Sequence, residues 1–257
     1  MLPTKPTPPK VNMSDLSVLI YGDPKWGKSS FCSHAEKALF IATEPGLNHL
    51  EVFQVPVKER QLVSGKDDEG NVAEKEMCGW EYIKYTYKHL LHKDHGFKTV
   101  VFDTIDVAYD HCYTYVCKKN GWESADKDLS GDKLGWGEGW RAINDEFKTV
   151  LRRFQELGMG MYLVSHSVVR EVDSRVTSKK TTPTLPGGAR KAVLAMSDIV
   201  MYATSNADGR LILTKNHATY EAGDRTERLP EKFQVPNGDT RLAETYNTFK
   251  KAIRGSK

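Results

Sequence analysis

No apolar run in this sequence approaches the ~18 residues that a membrane-spanning helix requires, so no helical anchor is expected and the protein is read as having no membrane partner. Cysteine is scarce. Cys32, Cys78, Cys112 and Cys117 are the four present, and none forms a C-x-x-C pair. That absence argues against both a disulfide framework and a zinc ribbon, and the natural expectation is a reduced, cytoplasmic setting. His89, His92 and His95 stand near Cys78 but lack a second ligand pair at metal-binding spacing, so they read as a polar helix end before the turn at Gly96. Neither sign of charge dominates: 37 Lys and Arg face 34 Asp and Glu, for a net +3. Nothing global therefore demands a nucleic-acid partner, and any such partner has to be argued from local patches. The first ten residues carry four prolines and no apolar stretch before a cleavage site, unlike a secretory leader. Residues 1–15 are expected to be a disordered Pro/Lys arm. No internal repeat is found.

What remains is an ordinary globular composition, with 39% hydrophobic and 28% charged residues over 257 positions, enough for one full-sized core. Short, nearly continuous apolar runs at 17–21, 39–42, 99–102, 159–164, 198–202 and 211–213 suit strands buried on both faces of a largely parallel sheet. Helical stripes alternate with them. Trp80, Ile83, Tyr87, Leu90 and Leu91 share one face, Ile105 through Val116 another, and Ile143 through Leu157 a third that stops at Gly158. A last amphipathic helix is predicted from about Leu242 to Ile253. Strand alternating with helix predicts an α/β fold with a mostly parallel central sheet and helices on both faces. The core is placed at 16–235 and a C-terminal helical tail at 236–257. Segments 63–76, 120–139 and 170–188 read as loops.

The first strand leads directly into Gly22-Asp23-Pro24-Lys25-Trp26-Gly27-Lys28-Ser29, a full G-x-x-x-x-G-K-[ST] match, followed by Ser30. Such glycines let backbone N–H groups turn inward around a phosphate, and the helix starting near Lys28 adds its positive end. Lys28 is the group expected at the β- and γ-phosphates, and the Ser29 hydroxyl is the expected Mg²⁺ ligand. Gly22 to Ser30 are accordingly the ATP-binding candidates. Lys25 and Trp26 fill variable positions, where they either flank the nucleotide or simply face solvent.

Three further strand ends supply chemistry. Residues 99–102 run into Asp103, a carboxylate at the edge where ligands gather, suited to the Mg²⁺ water shell or to capping the next helix, a task Thr104 can perform instead. Residues 39–42 run into Thr43-Glu44-Pro45-Gly46, which makes Glu44 either a general base or a plain loop carboxylate before a turn. Residues 161–164 run into Ser165-His166-Ser167, where His166 is either a γ-phosphate sensor or a structural histidine. Lys28, Glu44, Asp103 and His166 form the catalytic candidate set. From Ser167 to Lys191 there are six basic residues against two acidic ones. Arg170, Arg175, Lys179, Lys180 and Arg190 are the candidates for sequence-independent contacts to a nucleic-acid backbone, with a solvated surface loop as the plainer reading. The Gly135-Trp136-Gly137-Glu138-Gly139-Trp140 segment either stacks on bases or anchors the helix that follows.

Over about residues 17–233 these motifs resemble the RecA core, and more closely the phage RecA-like ATPases of the Sak-type single-strand annealing group, often labelled phage AAA-type nucleotide-binding proteins. The motifs carrying the resemblance are 20–29, Ala42-Thr43-Glu44-Pro45-Gly46-Leu47, 98–106, Gly135-Trp136-Gly137 and Leu185-Pro186-Gly187-Gly188. The resemblance implies a Mg·ATP-dependent ATPase acting on single-stranded DNA in phage recombination, annealing or repair, in the host cytoplasm if phage-encoded. It implies Glu44 as the catalytic glutamate, His166 in place of a sensing glutamine, and a mobile DNA-binding loop at 168–190. It also implies self-association, with Lys215 and Arg225 reaching the ATP of a neighbouring subunit, and a single-stranded-DNA-binding protein as a further partner. A nucleotide-binding regulator or assembly factor acting on protein partners is the rival, and a small-molecule kinase ranks last for want of an acceptor-binding signature.

Overall fold

Alternate residues of the first strand feed two separate cores. In the computed structural model, which describes residues 2, 4–66, 72–173, 178–236 and 241–255, β1 (Ser17–Gly22) is buried along its whole length. Leu19 and Tyr21 pack into one cluster, Val18 and Ile20 into the other. A strand with successive side chains on opposite faces and no polar face belongs in the middle of a sheet covered on both sides.

The chain continues through α1 (Lys28–Cys32), β2 (Ala38–Ala42), β3 (Phe53–Pro56) and the pair β4 (Arg60–Lys66) and β5 (Val72–Cys78). Then come α2 (Gly79–Leu90), β6 (Thr99–Asp103), α3 (Ile105–Asn120), β7 (Trp122–Ser124), β8 (Lys127–Asp128) and α4 (Glu138–Glu156). The last third holds β9 (Gly160–Asp173), β10 (Ser178–Pro183), α5 (Gly187–Met196), β11 (Ile199–Asn206), β12 (Gly209–Leu213), β13 (Gly223–Asp224), β14 (Lys232–Gln234) and α6 (Arg241–Arg254). The main sheet runs β14-β12-β11-β1-β9-β6-β2-β3, with the six strands from β11 to β3 parallel and β12 and β14 antiparallel at one edge. The expected mostly parallel α/β sheet with helices on both faces is what forms, and all six apolar runs are strands in it.

Helices α2 to α5 cover the face with Leu19 and Tyr21. Helix α1 and α6 cover the other, where Phe249 stacks on Phe233 at 3.8 Å and the Tyr162 and Tyr246 hydroxyls meet at 2.9 Å. Leu242, Tyr246, Phe249 and Ile253 are buried. The segment expected to trail as a helical tail thus closes the second core. At the other end, Met13 and Leu16 are buried, so the exposed arm stops short of residue 15. Among the described residues no helix is long and apolar enough to cross a membrane.

All three expected loops contain antiparallel strand pairs, the one at 120–139 only the short β7–β8 pair. Residues 63–76 fall largely within the antiparallel β4–β5 pair. In the third, the described residues 170–173 and 178–183 are strands: β9 continues past the sheet to Asp173 and pairs with β10, with Val168 opposite Thr182 and Arg170 opposite Lys180. The root of this hairpin is fastened to the core, because the Tyr21 hydroxyl donates to the Glu221 carbonyl at 2.7 Å and Thr181 N donates to the Thr219 carbonyl at 2.7 Å.

Candidate nucleotide site

Sheet register gathers the predicted chemistry at one edge. Ala42 pairs with Asp103, Asp103 with Val164, and His166 with Gly22, so the tips of β2, β6, β9 and β1 lie side by side. They open into a cavity of about 700 Å³, lined among others by Lys28, Ser29, Glu44, Asp103 and His166. That volume is in the range of small-molecule and cofactor sites.

Both motif glycines answer to space. A Cβ on Gly22 would lie 2.0 Å from the Ala203 carbonyl oxygen, and one on Gly27, whose φ is +107°, would lie 2.9 Å from Leu242 Cδ1. Only glycine lets the loop leave β1 so close to β11 and turn beneath α6. Lys28 is buried, and its Nζ donates to the carbonyls of Gly22 and Asp23, each at 2.8 Å. Burial lowers its pKa, opposed by Asp103, Asp106 and Asp23. A desolvated ammonium held only by carbonyl dipoles is well suited to an incoming phosphate.

Asp103 is also buried, which raises its pKa, while a hydrogen bond from Ser29 lowers it and the Glu44 charge raises it. The Ser29 hydroxyl and the Asp103 carboxylate, both lining the cavity with Lys28, form a hard-oxygen set that fits Mg²⁺. Thr104 caps α3, its Oγ1 accepting from Val107 N, and donates to Glu44 Oε1 at 2.8 Å. That cap frees Asp103 for the cavity and orients Glu44. The second Glu44 oxygen lies 3.7 Å from His166 Nε2, and His166 Nδ1 is buried without a partner among the described residues.

Asp106 stands outside the predicted catalytic set but braces it. Its carboxylate accepts from Ser165 Oγ and from His166 N, each at 2.8 Å, fixing the tip of β9 from the first turn of α3. Burial raises its pKa to about 6 against those hydrogen bonds. Because the folded value lies above the unfolded one, stability from this group is present below about pH 4 and lost as pH rises through about 6, by up to about 3 kcal/mol. Asp106→Asn should flatten that fall. Its amide can still accept from His166 N and donate to Ser165 Oγ, which in turn can donate to the His166 carbonyl 3.1 Å away. Denaturant midpoints from pH 4 to pH 7 check this, and an unchanged slope would contradict it.

Some predicted residues sit elsewhere. The Trp26 ring is buried in the second core and its Nε1 donates to the Thr204 carbonyl. Asp23 turns away from the cavity and accepts from Ser167 Oγ at 2.8 Å, tying the phosphate loop to the hairpin root. Pro24, Lys25 and Ser30 line the cavity. Within the β9–β10 pair, Arg170 donates to Thr182 Oγ1 and to the carbonyls of Thr184 and Leu185, and on α5 Arg190 is ion-paired with Glu221. Both are engaged in internal structure. Arg175 lies outside the described residues. Lys179 is exposed and Lys180 partly so. Arg225 donates to the Ala195 carbonyl and faces Asp198 at 3.9 Å, beside the start of β11 and far from this chain's own phosphate loop. Lys215 follows β12 toward the same end. Trp140 is anchored by Asp126 and Tyr113, whereas Trp136 is 99% exposed.

A family model described as an AAA domain matches residues 14–226. Among solved structures, the flagellar accessory protein FlaH from Methanocaldococcus jannaschii is similar at 11% identity and a TM-score of 0.39, over 87% of this chain and 86% of that one. No curated protein matches the chain. The family match takes in β1, the phosphate loop, Glu44, Asp103 and His166, and on that match the chain belongs to the AAA-domain family of P-loop ATPases.

Proposed function

We propose that this protein hydrolyses Mg·ATP at the cavity between Lys28 and Glu44 and couples turnover to single-stranded DNA, in the manner of the phage annealing ATPases it resembles. Bound Mg²⁺ would neutralise charge between the β- and γ-phosphates, with Ser29 and Asp103 as its protein neighbours. Lys28 binds phosphate, Glu44 takes a proton from the attacking water, and Thr104 holds Glu44 in position. His166, whose Nε2 lies 3.7 Å from Glu44, would report the state of the γ-phosphate.

The observation that carries the coupling is the continuity of β9. One strand runs from His166 at the cavity to the hairpin that bears Lys179 and Lys180. Asp23 binds Ser167 at the same root, so a shift of the phosphate loop reaches the hairpin through covalent and hydrogen-bonded links. Lysines on a projecting hairpin suit phosphate contacts without sequence preference. Lys215 and Arg225, at the opposite edge of the sheet, are the residues available to a neighbouring chain's nucleotide in a self-assembled state. Turnover per chain that stays constant across the concentration range of assembly would remove them from that role.

Lys179→Ala/Lys180→Ala should weaken single-stranded DNA binding and flatten its salt slope by about two, with basal hydrolysis retained. Gel-shift titrations at several salt concentrations, paired with turnover measured with and without DNA, provide the check. DNA-independent turnover together with unchanged DNA affinity would favour the second reading, an assembly factor working on protein partners. The exposed Trp136 and Leu129 are the observation on that side, since aromatic and aliphatic exposure suits a protein contact.

A further inference from the structure

Two arginines that no motif marks stand in the nucleotide cavity. Arg210 is the second residue of β12 and Arg241 the first of α6, and both line the cavity with the phosphate loop. A Cβ on Gly27 would lie 3.3 Å from Arg210 Nη1 and 2.9 Å from Leu242 Cδ1, so β12 and the start of α6 press directly on the loop. The register agrees: Gly22 pairs with Ala203, and Arg210 pairs with Ser205 two residues further along the same strand.

Neither guanidinium has an ion-pair or hydrogen-bond partner among the described residues. Each is partly buried. Burial, and then the charge of Arg241, lowers the pKa of Arg210. Two like charges lining one cavity, with no carboxylate bonded to either among the described residues, form an arrangement that an anion relieves.

Sheet order says which part of the anion. Glu44 follows the tip of β2 and Asp103 ends β6, both to one side of β1, whereas Arg210 lies on β12, to the other side beyond β11. The terminal phosphate belongs beside the carboxylates and Lys28. The rest of the nucleotide must then extend toward β11 and β12.

We propose that Arg210 and Arg241 clamp the α-phosphate end of the bound nucleotide, opposite the hydrolytic carboxylates, so that one chain supplies both ends of its own site. This assignment rests on the ATPase reading and adds the residues that hold the portion shared by ADP and ATP. It makes the pair binding residues for the nucleotide as a whole, silent toward the γ-phosphate.

The test is calorimetric titration of wild type, Arg210→Ala, Arg241→Ala and Arg210→Gln with ADP and with ATP, in Mg²⁺. Each variant should lose about tenfold in affinity, by the same factor for both nucleotides. Turnover at saturating ATP should stay near wild type, because interactions equal in ground and transition states move KM and leave kcat alone. Thermal unfolding without nucleotide identifies any variant that fails to fold, and the Gln and Arg241 variants then decide. Losses confined to ATP would overturn the assignment by making the pair a γ-phosphate reader, and unchanged affinities would overturn it outright. A wild-type chain that binds neither nucleotide would overturn the ATPase reading and the clamp together.

Discussion

Lys28→Ala is expected to lower ATP affinity by about 10²- to 10³-fold, a loss of roughly 3 to 4 kcal/mol. The lysine is buried, its ammonium is solvated only by the Gly22 and Asp23 carbonyls, and no carboxylate is ion-paired with it among the described residues. Such a charge gives up few contacts when a phosphate arrives and gains a charge-assisted one. The fold should survive the change. Burial already opposes the charged form of Lys28, so its removal relieves a desolvation cost. Thermal unfolding with and without Mg·ATP separates the two effects. Wild type should gain stability with ligand concentration, and the variant should melt at a temperature that nucleotide does not move. A variant still stabilised by nucleotide at wild-type concentrations would place phosphate recognition elsewhere.

Glu44→Gln should leave nucleotide affinity nearly unchanged and reduce turnover by about 10²- to 10⁴-fold, the range that general-base catalysis supplies. Glutamine keeps an oxygen to accept from Thr104 Oγ1, so the side chain stays in place and only its basicity is lost. Position and proton transfer are thereby separated. The contrast with Lys28→Ala is the useful feature: one variant binds without turning over, the other does neither. Turnover by Glu44→Gln at the wild-type rate would remove Glu44 from catalysis and leave the cavity as a binding site only.

The parts legible in sequence were those whose signal is local. The phosphate loop is eight contiguous residues, and β1, β2, β6, β9 and β11 are buried on both faces, which leaves uninterrupted apolar runs. The hairpins were not legible for the converse reason. Residues 60–66 and 72–78 pair mostly in the open, with Leu62 69% exposed, so burial imposes no alternation on them. The outer half of β9 carries Ser167, Arg170 and Glu171 and looks like a loop until β10 is seen beside it. Asp106 was passed over because its two acceptor contacts lie about 60 positions away along the chain. Arg210 and Arg241 sit among polar neighbours with no periodic pattern, and only the packing of β12 and α6 on Gly27 gives them a role. The packing of Trp26 was not legible either: its place inside the motif hides that its indole N–H is satisfied by Thr204 and its ring fills the core.

The central claim is that the edge shared by Lys28, Glu44, Asp103 and His166 hydrolyses ATP. Phosphate release from ATP by the purified wild-type chain, measured with Mg²⁺ and again with the metal chelated, tests it most directly. The account predicts steady release that requires Mg²⁺ and is lost in Glu44→Gln at equal nucleotide occupancy. Nucleotide bound at full occupancy in Mg²⁺ with no release above the Glu44→Gln background, with or without single-stranded DNA, would contradict it.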